Sequence, residues 1–333
     1  MLVKVDSTSS AFIAPIAWHT GFRCALTGGR GTNDQMNSEQ QVRFVRVFVA
    51  GPGGGNPAPI VIDAEGMSDA QMQEVAKAYG HESGFVLPAP AGSDCDFEFR
   101  FWVPNHQMSM CGHATVGAVW LLAQLGKLNK DHLTIWTKSG KVEARVNRQA
   151  GQDELVEVSQ PAGFVEPLPD AAETRAEICT VLGIGIEELA TFPIQNACTS
   201  RVKTLVPLNS VATLDCLSPV FDQIEPLCTR IGSTGLYPYA ISNPEEQVVD
   251  ARQFPRSSGY PEDAATGIAA SALAFGLLSN GLVEASERRI AVRQGRAMKR
   301  PSEISVRFNI EDGLVNGCWL SGAVEPTHCE RVA

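Results

Sequence analysis

Four residues able to hold or move a proton stand close to two similar glycine-marked segments. Glu82 lies in His81-Glu82-Ser83-Gly84, and Cys111 and His113 bracket Gly112 in Cys111-Gly112-His113-Ala114. Asp263 opens the second segment, Asp263-Ala264-Ala265-Thr266-Gly267-Ile268. Two carboxylates, a thiol and an imidazole are groups that general acid–base catalysis uses. Nothing in the sequence points to a cofactor, and no CxxC spacing suggests a structural metal site. The chemistry to expect is proton transfer at a carbon next to a carboxylate or a conjugated system.

Each segment opens an apolar helix. The first is predicted from near Gly112 to about Leu125, the second from near Thr266 to about Leu278. They begin about 150 residues apart and both sit among strands, which suggests two similar halves. Each helix is apolar nearly all round and must be wrapped on every side, as a curled sheet would do. Two such units would bring their helix N-termini to a common cleft. The free N–H groups and the helix dipole there cradle a carboxylate, and glycine lets the backbone come close to it.

The flanking pattern supplies the wrapping strands. Val42–Ala50 and Ala58–Asp63 read as strands, followed by a helix capped at Ser68 and ending near Gly80. Strands are predicted at Phe85–Pro88, Phe97–Val103, Leu133–Thr137 and Lys141–Val146. After the proline-rich stretch 161–169 the pattern restarts, with helices at Ala171–Leu182 and Ile224–Arg230. Strands follow at Ala197–Val206, Gly235–Ile241 and Val248–Phe254, then Arg289–Val292, Ser302–Phe308 and Cys318–Gly322. The expected division is an extension at 1–42, one half at 43–165 and another at 166–333, with the last strands able to cross back.

Composition narrows the function. The 333 residues are 44% apolar and 19% charged, values of a folded protein. A net charge of −10 gives no electrostatic footprint for nucleic acid, and an anionic substrate would need local donors to draw it in. No apolar run approaches the roughly 18 residues a membrane span needs. Pro15 interrupts the only candidate leader, so a cytoplasmic enzyme is expected. The loop at 28–34 is glycine-rich but lacks phosphate-loop spacing. The nine cysteines are scattered and read as buried fillers, as do Met108, Met110, Trp102 and Trp120. Cys111 stands apart, because a thiol at a helix N-terminus has a lowered pKa.

These segments resemble the PhzF-like (phenazine biosynthesis) family, of the diaminopimelate-epimerase fold, from about Phe44 to Ala323. The resemblance rests on Gly55-Asn56-Pro57, His81–Val86, Phe101–His113, Glu262–Gly267, Gln294-Gly295 and Arg300-Pro301-Ser302, in that order. It implies an α+β fold of two similar domains, each a curved mixed sheet or barrel around a central apolar helix, with the site between them. It implies a cofactor-independent isomerase without metal, flavin or pyridoxal, acting on a small anionic metabolite, with Glu82 as acid/base and His113 and Asp263 holding substrate. Gly112, His81, Ala114, Thr266, Gly267 and Ile268 are then expected in substrate binding, and the molecule is expected to be a homodimer in the cytoplasm. Three departures qualify the substrate: Cys111 replaces a common alanine, Ile268 a substrate-facing serine, and Gln107 a common acid. Cys111 also opens an alternative, a racemase or epimerase pairing this thiol with an acid across a stereocentre. A binding protein that has lost turnover is the other alternative.

Overall fold

The computed structural model describes residues 41–148, 154–168 and 171–328. The expected extension, apart from its last two residues, and the loop at 28–34 lie outside the described residues. The strands of the first half are β1 (Val42–Val47), β2 (Asn56–Val61), β3 (Ser83–Pro88), β4 (Phe97–Trp102), β5 (Gln107–Met108), β6 (His132–Thr137), β7 (Gly140–Asn147) and β8 (Leu155–Gln160). Those of the second are β9 (Phe164–Pro167), β10 (Gln195–Cys198), β11 (Val202–Pro207), β12 (Gly235–Asn243), β13 (Val248–Ala251) and β14 (Phe254–Pro255). The chain closes with β15 (Ile290–Gln294), β16 (Ser302–Glu311), β17 (Leu314–Ser321) and β18 (Val324–Pro326). The helices are α1 (Asp69–Tyr79), α2 (Gly112–Gln124), α3 (Ala171–Leu182), α4 (Val211–Cys216), α5 (Phe221–Arg230) and α6 (Gly267–Ser279).

The fold is α+β, and its strands form one continuous network that curls around two helices. β1–β2 and β3–β4 pair antiparallel, while β2–β3 and β4–β6 are parallel; β6, β7 and β8 form a meander. On the other side β9, β10 and β11 are antiparallel, β11 runs parallel to β12, and β13 parallel to β15. Two pairings join the sides. β17 lies antiparallel to β8, and β18 returns to β1 with Val45 opposite Pro326. The expected division at 165/166 falls inside β9, which pairs with β10.

Burial, rather than helix propensity, holds the two central helices. α2 contains Gly112, Gly117, Thr115, Val116 and Val119, all weaker helix formers than alanine, by up to about 1 kcal/mol for glycine. Each fully buried Val or Leu contributes about 1.5–3 kcal/mol in return. Val116, Val119 and Leu121 of α2 are fully buried beside Val45 and Ile60, and Leu273 and Leu277 of α6 belong to the same core. α6 is buried from Gly267 to Leu277. A second core lies under α3, α4 and α5, and a third joins Met72, Val75 and Tyr79 of α1 to Phe85 and Trp102.

Several expectations are refined. Ala197–Val206 is a hairpin, not one strand, because Thr199 and Ser200 stand in the turn between β10 and β11. Val248–Phe254 splits into β13 and β14, and β8, β9, β18 and α4 were not foreseen. The Ser68 capping box and the left-handed Gly80 that ends α1 are as expected. No helix among the described residues is long and apolar enough to cross a membrane.

Gly117 marks a close helix-to-sheet approach on α2: a Cβ built there falls 2.8 Å from Val45 Cγ2 and 3.1 Å from Val47 Cγ2. Gly117→Val should lower stability in denaturant unfolding by about 1–3 kcal/mol through overpacking. An unchanged midpoint would contradict this packing.

Candidate active site

The two central helices begin against each other. A Cβ built on Gly112 would lie 3.9 Å from both Gly267 Cα and Ile268 N, with Leu320 packed beside both glycines. A cleft opens at this junction, lined on one side by Glu82, Cys111, Gly112 and His113 and on the other by Asp263, Thr266, Gly267 and Ile268.

Glu82 arrives there from the link between α1 and β3. The capped helix fixes where α1 stops, and the pairing of Ser83 with Trp102 fixes where β3 starts. Three groups surround its carboxylate. The Cys111 thiol donates to Oε2 at 3.1 Å, the Tyr260 hydroxyl donates to Oε1 at 3.1 Å, and His113 Nδ1 lies 3.3 Å from Oε2. Burial pushes the Glu82 carboxyl up. His113, the Cys111 hydrogen bond, Arg201 and the Tyr260 hydrogen bond outweigh it and hold the pKa below the ordinary carboxylate range. Glu82 is therefore ionised at neutral pH and retains a lone pair for an incoming proton.

Cys111 is the N-cap of α2, and its thiol behaves opposite to the helix-terminus expectation. Burial first, then the Glu82 charge and hydrogen bond, push it well above the usual thiol value. It is a protonated donor. At 3.1 Å from Glu82 Oε2, the two groups are in direct hydrogen-bond contact. Glu82, Cys111 and His113 each place one donor atom within 4.8 Å of the others, a set that zinc accepts once its thiol and imidazole lose their protons.

Asp263 is held from both halves of the chain. Asn56 Nδ2, at the start of β2, donates to its Oδ1 at 2.7 Å and to Ala265 O at 2.9 Å. Thr266 Oγ1 donates to Oδ2 at 2.5 Å, and Gln294 Nε2 to the Asp263 carbonyl at 2.7 Å. Burial, then the Glu82 charge, raise the Asp263 carboxyl to about 6. The adjacent Glu262 serves elsewhere: it takes a bidentate pair from Arg252, whose remaining guanidinium nitrogen donates to Leu214 O and Leu217 O. Two carboxylates pushed apart in this way are the pattern of a base and an acid working together.

All four expected acid/base residues line the cleft, as do Gly112, Thr266, Gly267 and Ile268. His81 and Ala114 do not. His81 stands, half-buried, in the bend between the left-handed Gly80 and β3. The helix turn places Ala114 beside β3, where a Cβ on Gly84 would lie 3.5 Å from it. Met108 and Met110 belong to the core, as expected, but also line the cleft. Sequence reasoning missed Tyr260, Arg201, Lys203 and Gln253, which all line it. A signal existed for one of them: Lys203 is a charge inside the apolar run Val202–Val206, where charges are rarely buried without a reason.

Comparison with known proteins agrees with this fold. Residues 45–318 match the model of the phenazine biosynthesis-like protein family, PhzC-PhzF. The uncharacterized isomerase YddE of Escherichia coli (strain K12) is 32% identical over 296 residues, covering 87% of this chain and 97% of the relative. A trans-2,3-dihydro-3-hydroxyanthranilate isomerase of Pseudomonas aeruginosa is 28% identical over 279 residues, covering 84% and 94%. The crystal structure of a PhzF-family phenazine biosynthesis protein from Bacillus anthracis superposes with a TM-score of 0.76 at 24% identity, covering 88% of this chain and 98% of that one.

The raised Asp263 carboxyl has a measurable consequence. A carboxyl whose folded pKa is higher than its unfolded value favours the fold below the unfolded pKa, near 3.8, and loses that contribution as pH rises through about 6. Asp263→Asn mimics the protonated form. Its stability relative to the parent should be about 1–2 kcal/mol greater at pH 8 than at pH 5. A pH-independent difference in urea unfolding would contradict the assignment.

Proposed function

The chain belongs to the phenazine biosynthesis-like family, and from that premise we propose that it is a cofactor-independent isomerase that shifts a double bond by moving one proton with Glu82. The observation that carries this reading is an ionised carboxylate, held by two hydrogen-bond donors with an imidazole beside it, next to the abutting starts of α2 and α6. A substrate carboxylate seated at these helix starts meets free N–H groups and the positive ends of two dipoles. They stabilise the charge that develops when Glu82 removes a proton from an adjacent or conjugated carbon. Glu82 then returns the proton to another carbon of the same system. Asp263, with its carboxyl raised to about 6, is placed to share a proton with the substrate's polar group. The Tyr260 and Cys111 hydrogens hold the Glu82 carboxylate in orientation throughout.

The name of the Pseudomonas aeruginosa relative makes trans-2,3-dihydro-3-hydroxyanthranilate the first substrate to test. Ile268 argues for a different one. It puts an aliphatic side chain at the first turn of α6, where the family resemblance expects a hydroxyl, so a less polar ring or chain fits that wall. Racemisation by Cys111 finds less support, because its thiol is held protonated and the second helix start offers Asp263-Ala264 rather than a second thiol.

Turnover in heavy water, followed by NMR with that compound and a panel of unsaturated carboxylates, tests the reading. Deuterium should enter the product. Glu82→Gln should reduce turnover about 10²–10⁴-fold with the fold intact, and Cys111→Ala should stay within about tenfold of the parent. A fully active Glu82→Gln would end the proposal. Ligand-induced stabilisation without proton exchange would instead favour a binding protein.

A further inference from the structure

One wall of the cleft is cationic, and beyond the charge by which Arg201 helps to keep Glu82 ionised, the acid/base reading gives it no task. Arg201 stands in the turn before β11 and Lys203 lies on β11 itself, two residues apart and both lining the cleft. Lys203 is 5% exposed, yet neither it nor Arg201 makes a side-chain hydrogen bond or an ion pair with any described residue. The two carboxylates of the cleft do not use them as close partners. Glu82 takes its hydrogen bonds from Cys111 and Tyr260 and faces His113, while Asp263 takes its own from Asn56 and Thr266. Burial, with Arg201 beside it, draws the Lys203 ammonium down to about 8, which leaves it charged at neutral pH.

Gln253 completes the wall. It is 1% exposed and lines the cleft, and both its Nε2 and its Oε1 are buried without a hydrogen-bond partner among the described residues. Its backbone is fixed by the bridge to Asp263, whose N–H donates to the Gln253 carbonyl at 3.0 Å. Its amide occupies the space that Gly235 leaves open, since a Cβ there would fall 2.3 Å from Nε2. A buried amide left without partners is unfavourable unless a ligand satisfies it. Two charges and a fixed amide left open toward one space, in a chain of net charge −10, form a built anion site.

We propose that the substrate is a small dicarboxylate, with one carboxylate at the starts of α2 and α6 and the second on Arg201, Lys203 and the Gln253 amide. This rests on the isomerase reading only for the seat of the first carboxylate. Arg201 supplies a planar fork, Lys203 a point charge and Gln253 Nε2 a neutral donor; together they distinguish a dianion from a monoanion of the same length.

Calorimetry with the series from succinate to pimelate, each against the straight-chain monocarboxylate of equal length, tests this. At least one diacid should bind about tenfold or more tightly than its matched monoacid. Lys203→Met and Arg201→Gln should each bring that ratio to within about twofold, and Glu82→Gln should preserve it. Lys203→Met removes a buried charge at nearly constant volume; if it does not fold, the half-buried Arg201→Gln decides. No diacid preference, including no binding at all, overturns the proposal, as does a preference that survives the loss of either cation. The two readings fail separately. Proton exchange that depends on Glu82 without diacid preference sinks only the subsite, and diacid preference without exchange sinks only the isomerase.

Discussion

Two carboxylates in one desolvated cleft are the constraint around which the rest of the site is arranged. Burial raises the cost of ionising both, and the Glu82 charge adds to it for Asp263. The fold resolves this unequally. Glu82 receives a thiol, a phenol and an imidazole and stays ionised, while Asp263 receives an amide and a hydroxyl and moves toward neutrality. Reactivity thus follows from the number and kind of donors each acid meets. The supply of those donors depends on distant pieces of chain: Tyr260 reaches Glu82 across 178 positions, and Asn56 reaches Asp263 across 207.

That arrangement requires α2 and α6 to start in contact, which in turn requires both helices to be buried along their length. A helix with one polar face would have to turn it to water and could not be enclosed by a curled sheet. The absence of polar side chains from α2 beyond His113, Thr115 and Gln124 is therefore a positional requirement of the chemistry. Glu262 and Asp263 show how finely the chain divides labour at this junction. One neighbour is tied to Arg252 and anchors the loop to the end of α4, and the other faces the cleft.

Much of this was legible in the sequence. The two apolar helices, their glycine starts and the four proton-handling residues stand out because each is local: a run without polar faces, a cap, a short motif. Tyr260, Arg201, Lys203 and Gln253 escaped because nothing near them in the chain shows what they face: they reach the cleft from the start of β11, the link between β13 and β14, and the loop after β14. The Cys111 thiol was misjudged for a different reason. A helix terminus lowers a thiol pKa, but a neighbouring carboxylate and full burial act in the other direction and are stronger.

The return of β18 to β1 governs the order in which this molecule can be assembled. β1 has β2 on one side and β18 on the other, and α2 also packs on β18. On the ribosome, the sheet around α2 stays open along one edge until residues 324–326 have emerged. Completion of the first half thus waits on contacts of very long sequence separation, which fold slowly and leave an unpaired edge exposed in the meantime. Removal of β18 would therefore be felt at β1, far earlier in the sequence.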